Sequence, residues 1–338
     1  MKTETPMIIE VHRGGLLESR HRGIAAVIDS HGKILHAWGD IDRHIYPRSA
    51  IKPILALPLI ESGAAEAFEL GDPEIALACA SHSGEPTHVR AVSAWLARIG
   101  LGAADLGCGS HWSHDQETAH DWVRSGQPVT AINNNCSGKH TGFLATAKHL
   151  GEPTAGYIKP EHPVQIRLAA ILAEMGDTDL SQTARGIDGC GIPVLGMPLS
   201  AMALAMARMA EPSGLGPVRE AAAKRIVSSM TAHPYNVAGR NRFDTLAMQA
   251  GNGRFAVKAG AEAVHAAIIP ELGVGVVLKI DDGTKRASEV AMANILAFLG
   301  VLDPSQPSPM SNFFEAPIVN TLNDIVGVVR MADGWADG

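Results

Sequence analysis

Ser49 and Lys52 stand three residues apart, a spacing that a helix turns onto one face with the serine toward its N-terminal end. A serine hydroxyl is a weak nucleophile until a neighbour takes its proton. A lysine can take it when burial or nearby positive charge lowers its pKa from about 10.4 toward neutrality. The pair therefore offers a nucleophile and a base. Two later segments could complete it: Ala80-Ser81-His82-Ser83-Gly84-Glu85, which follows an apolar run, and Val257-Lys258-Ala259-Gly260, at the edge of an expected strand. Two serines and two lysines suit acyl transfer, in which a serine ester forms and is then hydrolysed. Taken bare, residues 81–84 read equally well as a turn and Lys258 as a solvated strand residue.

A second constellation lies in Asn133-Asn134-Asn135-Cys136-Ser137-Gly138-Lys139-His140 and Ile187-Asp188-Gly189-Cys190-Gly191. Polar residues this dense, with a helix expected over 141–150, suit a loop feeding a helix N-terminus. Cys136 and Cys190 do not form a C-x-x-C pair. Each can be a small buried apolar residue, or the two can ligate a metal with His140 or Asp188 completing a tetrahedral site. The four cysteines, Cys79, Cys108, Cys136 and Cys190, are too sparse in 338 residues for a disulfide framework. Reduced thiols and a cytoplasmic location are the expectation.

The elements that must position these residues follow from patterning. Short β-like runs at Met7 to His12, Gly23 to Asp29 and Ile34 to Trp38 are separated by turn residues, which predicts an N-terminal antiparallel meander. The apolar segment from Ser49 to Gly63 reads as one buried helix opening near Pro47, although Pro53 and Pro58 sit poorly inside it. Ala-rich amphipathic runs, among them Ala91 to Gly100, Pro163 to Met175, Pro198 to Ala210 and Pro217 to Thr231, make a helical middle over about 86–231. The tail returns to strands over 254–260, 263–270 and 274–280, then a helix over 287–298. Strands at both ends around a helical middle predict an α+β fold with one antiparallel sheet assembled from both termini. With no linker in evidence, residues 1–338 read as a single catalytic unit.

Hydrophobic residues make up 46% of the chain and charged residues 19%, ample for a core. The 28 basic residues are scattered and outnumbered by 35 acidic ones, so a nucleic-acid partner is not expected. No apolar run is long enough to span a membrane, and the first residues lack a secretory h-region. Small molecules are the default ligands.

S-x-x-K, S-x-S and K-x-G occur here in the order of the S-x-x-K, S-x-N and K-T-G motifs of serine β-lactamases and penicillin-binding proteins, and the strand-helices-strand layout resembles theirs. Ser83 stands where those families have Asn, and only 32 residues separate Ser49 from Ser81. A closer resemblance rests on four linked segments: Tyr46-Pro47-Arg48-Ser49-Ala50-Ile51-Lys52-Pro53, Ala80-Ser81-His82-Ser83-Gly84-Glu85, Asn135-Cys136-Ser137-Gly138-Lys139-His140 and Asp188-Gly189-Cys190-Gly191. Together they resemble the rhizobial-type L-asparaginases (class 3, "asparaginase II"), over nearly the whole chain and with a match close to the Rhizobium etli enzymes.

The resemblance implies a serine β-lactamase-like fold shared with class A glutaminases, hydrolysis of L-asparagine to L-aspartate and ammonia, and a homodimer. It implies that Ser49 and Lys52 form one Ser-Lys tandem, with Ser81 beside them and Lys258 as the second lysine. It further implies one zinc per chain, held by Cys136, Lys139 and Cys190. With a Ser-Lys nucleophile present, that zinc is not needed to activate an attacking water. Arg48, His140 and Asp188 are candidates for the substrate's α-carboxylate and α-amino group, because a zwitterion needs both charges matched. Rival readings are a serine-dependent glutaminase or β-lactamase-like esterase, a zinc hydrolase with structural serines, and a non-catalytic amino-acid-binding sensor.

Overall fold

A computed structural model describes residues 5–337. The chain forms two compact units, each discontinuous in sequence. The first takes the chain up to Ala50, Met197–Glu211 and the chain from Leu246; the second takes Ile51–Gly196 and Pro212–Thr245.

The first unit is built on an antiparallel sheet of eight strands: β1 (Met7–Arg13), β2 (Leu16–Asp29), β3 (Ile34–Trp38), β4 (Ala256–Ala259), β5 (Val264–Ile269), β6 (Val274–Ile280), β7 (Ala316–Val319) and β8 (Ile325–Met331). Their order is β7-β8-β1-β2-β6-β5-β4, with β3 paired to β2 off that path. The 14-residue β2 joins the halves: its Leu16–Arg22 part pairs with β1, and residues 23–29 pair with both β6 and β3. The sheet thus draws strands from both termini, and the fold class is α+β. The β7–β8 hairpin was not expected; Pro317 and Gly327 interrupt its pattern.

Consecutive residues of β6 are buried, Val276, Val277 and Leu278 among them, so both faces of the sheet are covered. The helices Leu199–Ala210 and Lys285–Phe298 pack on it. Gly275 permits the first: a Cβ there would come 2.2 Å from the Ala203 carbonyl oxygen and 2.3 Å from the Ala207 nitrogen. A helix expected as part of the helical middle therefore belongs to the sheet's unit.

The second unit is helical. At its centre runs Ser137–His149, buried without interruption from Ser137 to Ala147. Helices Asp72–Ala78, Pro86–Arg98 and Pro163–Gly176 pack around it, and Pro217–Ala232 packs against Asp72–Ala78. Gly138 sets the closest approach, since a Cβ there would lie 2.3 Å from the Leu77 carbonyl oxygen.

The single helix expected over 49–63 is broken. A 3₁₀ turn, Arg48–Ile51, leads into two short helices, Lys52–Leu55 and Leu57–Glu61. Pro53 and Pro58 each occupy the first turn of one of them. A proline cannot donate to the preceding turn and clashes with it, so each one starts a helix in place of continuing the last. Among the described residues, no helix is long and apolar enough to cross a membrane.

Candidate active site

In the first unit, Arg48 and Ser49 sit in the 3₁₀ turn that follows the strand-rich residues 7–45. Arg48 has φ 48°, the left-handed region that costs a non-glycine residue about 1 kcal/mol or more. The end of the edge strand β4 lies against this turn. A Cβ on Gly260 would come 3.0 Å from the Ala50 nitrogen and 3.3 Å from the Pro47 carbonyl oxygen. The glycine of Lys258-Ala259-Gly260 is thus required by close backbone contact with the turn that carries Ser49. Lys258 is buried, not a solvated strand residue, and its Nζ donates to the Ala259 carbonyl at 2.6 Å.

In the second unit, Lys52 heads its short helix and is 1% exposed. Its Nζ donates to the Ala80 carbonyl, to Ser81 Oγ at 2.8 Å and toward Cys136 Sγ at 3.2 Å. Three acceptors surround an amine that has three protons to give when charged. The segment holding Ser81 is extended, not a turn. The Ser81 and Ser83 N–H groups donate to the Val237 and Ala238 carbonyls at 2.9 and 2.8 Å, and the His82 N–H donates the other way, to Asn135 at 3.1 Å. Alternation then directs Ser81 and Ser83 to one side and His82 to the other. His82 Nδ1 accepts from the Gly84 N–H at 3.1 Å, which leaves the ring proton on Nε2 to reach Ser137 Oγ at 2.9 Å. Burial holds this imidazole well below the usual histidine range, helped by the neighbouring His88 and Lys52, beside which a second positive charge is disfavoured.

The sulfurs form a chain with the lysines. The Cys190 thiol donates to Cys136 and lowers its pKa, a shift that Lys52 and Lys139 reinforce. Cys136 is thus the sulfur of the pair whose ionised form its surroundings favour. The Cys190 thiol, as the donor to that sulfur and by burial, is pushed up. Lys139 Nζ lies 2.9 Å from Cys190 Sγ. Burial disfavours its charge, but Cys136, Cys190 and Asp188 outweigh burial and raise its pKa. Cys190 thus has an amine at 2.9 Å and the Cys136 sulfur as a hydrogen-bond partner, and two thiols with an amine are donor types that suit a thiophilic cation such as zinc once their protons are displaced. Among the described residues no three His, Cys, Asp or Glu side chains come together as a metal site, so the reading in which His140 or Asp188 completes the tetrahedron with the cysteines does not stand.

His140 points elsewhere. It is wholly buried, with Nδ1 2.6 Å from the Tyr157 hydroxyl, which also accepts from the Gly107 N–H at 2.7 Å. Burial pushes the Tyr157 hydroxyl up, so it keeps its proton and gives it to His140 in a hydrogen bond. The His140 ring proton is then on Nε2, which has no partner among the described residues. Asp188 sits in a tight turn, its N–H on the Ile192 carbonyl at 2.9 Å and its own carbonyl accepting from Gly191 at 2.8 Å. Its carboxylate acts on Lys139.

Sequence reasoning missed a third group beside Ser81 and Ser83. Buried Glu85 accepts from the Tyr235 hydroxyl and the Arg240 N–H, both at 2.8 Å. His88 stacks between His82 and Tyr235, with centroids 4.9 and 4.8 Å away. Arg242 Nη1 reaches Ser83 Oγ at 3.4 Å. The available signal was Gly239-Arg240-Asn241-Arg242, a turn-forming run whose Gly239 and Asn241 have positive φ and which carries two arginines.

No curated protein gives a significant match to the chain. Among solved structures it is similar to Mglu in its native form, at 14% identity and a TM-score of 0.47, over 90% of this chain and 72% of that one. It is similar also to a beta-lactamase from Mycobacterium bovis (13%, 0.36, 82% and 94%) and to D-alanine carboxypeptidase AmpC from Burkholderia cenocepacia (12%, 0.39, 82% and 93%). These likenesses are distant. The sequence profile of one family, described as L-asparaginase II, matches residues 9–331. Nearly the whole chain is covered, including each segment that bears the serines, lysines and cysteines above, and the protein belongs to the L-asparaginase II family.

Proposed function

We propose that the protein hydrolyses L-asparagine to L-aspartate and ammonia, as a rhizobial-type member of its family. The observation that carries the reading is the buried contact of Lys52 Nζ with Ser81 Oγ at 2.8 Å, in a chain matched by that family from residue 9 to 331. A buried lysine joined to a serine hydroxyl is equipment for moving protons.

In the reaction, Lys52 in its neutral form takes the Ser49 proton. The Ser49 oxygen bonds to the side-chain amide carbon of asparagine, and the carbon–nitrogen bond breaks as a proton reaches the departing nitrogen, releasing ammonia. Water then adds to the β-aspartyl ester, aspartate leaves, and Ser49 regains its proton. Ser81 relays protons with Lys52, and Lys258 supports the Ser49 turn. Backbone N–H groups at that turn stabilise the developing oxyanion. Arg48, His140 and Asp188 are the sequence-based candidates for the α-end of the substrate; the unpartnered His140 Nε2 supports a role for that histidine.

Cys136, Lys139 and Cys190 hold zinc in this reading. When bound, the ion would supply a fixed positive charge between the helix bearing His140 and the turn bearing Asp188. The working form is a cytoplasmic homodimer. Ammonia release from L-asparagine and L-glutamine, run beside ring opening of a chromogenic cephalosporin, tests the assignment. Asparagine is expected to be the preferred substrate. Preference for glutamine or the cephalosporin overturns it, and activity lost on chelation but kept in Ser49→Ala favours a zinc hydrolase.

A further inference from the structure

Arg240 and Arg242 leave the same turn two residues apart and meet different surroundings. Arg240 is saturated with negative charge: Nη2 lies 3.0 Å from Asp115 and 3.2 Å from Glu117, and Nε lies 3.8 Å from Glu85. Arg242 is half-buried and meets no carboxylate among the described residues. Its one hydrogen bond there is the 3.4 Å contact of Nη1 with Ser83 Oγ. Ser83 is fully buried and spends its own proton on the Ala238 carbonyl at 3.1 Å, so its oxygen is held as an acceptor. A guanidinium carries five N–H donors in a planar fork. One long bond to a neutral hydroxyl leaves most of that fork unmatched and the charge without a counter-ion.

We propose that Arg242 binds the α-carboxylate of the substrate and selects free amino acids over amides that lack one. The assignment rests on the reading of the protein as an amino-acid amidohydrolase. It differs from the sequence-based choice of Arg48 for this charge. Ser81 and Ser83 stand two residues apart on one segment, both with N–H groups directed at the Val237–Ala238 backbone. Lys52 stands on the first and Arg242 on the second. A carboxylate held by Arg242 would thus sit two residues along the chain from the serine that Lys52 contacts. A fork-to-fork pair with a carboxylate is also the geometry that a guanidinium, unlike an ammonium, provides.

The test compares wild type, Arg242→Gln and Arg242→Lys on L-asparagine and on 3-aminopropanamide, which is asparagine without its α-carboxylate, and measures L-aspartate binding by calorimetry. Arg242→Gln is expected to raise KM for asparagine, and Kd for L-aspartate, about 10- to 100-fold with kcat nearly unchanged, the loss of one charge-assisted contact. The amide lacking the carboxylate is turned over poorly and equally by both enzymes. Arg242→Lys falls between, keeping charge but losing the fork, and decides the matter if the glutamine variant does not fold. Unchanged KM and Kd, or an equal loss on both amides, overturns the proposal. If wild type releases no ammonia from asparagine, the hydrolase reading fails on its own. L-Aspartate binding then still decides the contact: weaker binding by Arg242→Gln supports it, and equal or absent binding overturns it.

Discussion

Two clusters of the second unit grow from the same chain segments, residues 80–85 and 133–140, yet they resolve the burial of polar groups in opposite ways. In the sulfur cluster, burial is offset by opposite charge: Lys52 and Lys139 are held among the Cys136 and Cys190 sulfurs. In the histidine cluster, burial is met by neutrality: His82 and His88 are both held below the ordinary histidine range, chiefly by burial, and each has a hydrogen bond on both ring nitrogens. Cysteines make the same point within one residue type. Burial pushes the Cys108 thiol up to about 12, whereas Cys136, as deeply buried, is driven down by the Cys190 proton and two ammonium groups. Burial alone therefore does not decide ionisation; what is buried alongside does. The first cluster sets buried groups of opposite charge tendency against one another, and the second packs neutral rings.

If that distinction holds, Lys52→Met gives the largest effect. It removes the base and a positive neighbour of the Cys136 sulfur, so kcat is expected to fall by about 10³-fold or more. A fall of less than tenfold would return Lys52 to a packing role. Next come Cys136→Ser and Cys190→Ser, each of which removes a soft donor from the cluster. Metal analysis should show stoichiometric zinc in wild type and loss in both variants, with KM raised about 10- to 100-fold and a smaller change in kcat. A zinc-free wild type would leave the cluster as an ion network only.

The histidine cluster predicts a stability effect with a definite sign. The unfolded chain protonates His82 and His88 near pH 6.5, and the native chain resists, so stability is fully present above that pH and is lost as pH falls. Each histidine costs about 1.4 kcal/mol per pH unit below it until its own lowered pKa is reached. Thermal melts from pH 7.5 to 5 should show this fall, and His88→Gln should flatten it. The smallest expected effect is Tyr235→Phe, which removes one hydrogen bond to Glu85 and should cost about 1 kcal/mol; Glu85→Gln, which also weakens the Arg240 contacts, should cost about 1–3 kcal/mol.

The charged cluster was legible in the sequence and the neutral one was not. Lys52, Ser81, Cys136, Lys139 and Cys190 declare themselves by residue type and by short motifs, and the structure joins all five in one chain of contacts. Glu85, His88, Tyr235 and Arg242 have no such signature. They matter because Ser81 and Ser83 hydrogen-bond to Val237 and Ala238, a pairing across more than 150 residues that no local pattern announces. The sheet from both termini was readable from alternation, but its β7–β8 hairpin was not, because proline and glycine break the period. The helix expected around Ser49 was misread for a related reason. Its apolar run is continuous, and only Pro53 and Pro58 signal that the backbone must restart twice.

The central claim is that Ser49 forms a β-aspartyl ester. Intact-mass and peptide mass spectrometry on enzyme quenched in acid during turnover of L-asparagine tests it directly, with ammonia release measured on the same samples. Wild type should carry one aspartyl group, mapped to Ser49, and Ser49→Ala should carry none while losing several orders of magnitude in kcat with its melting transition intact. An aspartyl group on Ser81, or Ser49→Ala activity within tenfold of wild type, would contradict the account.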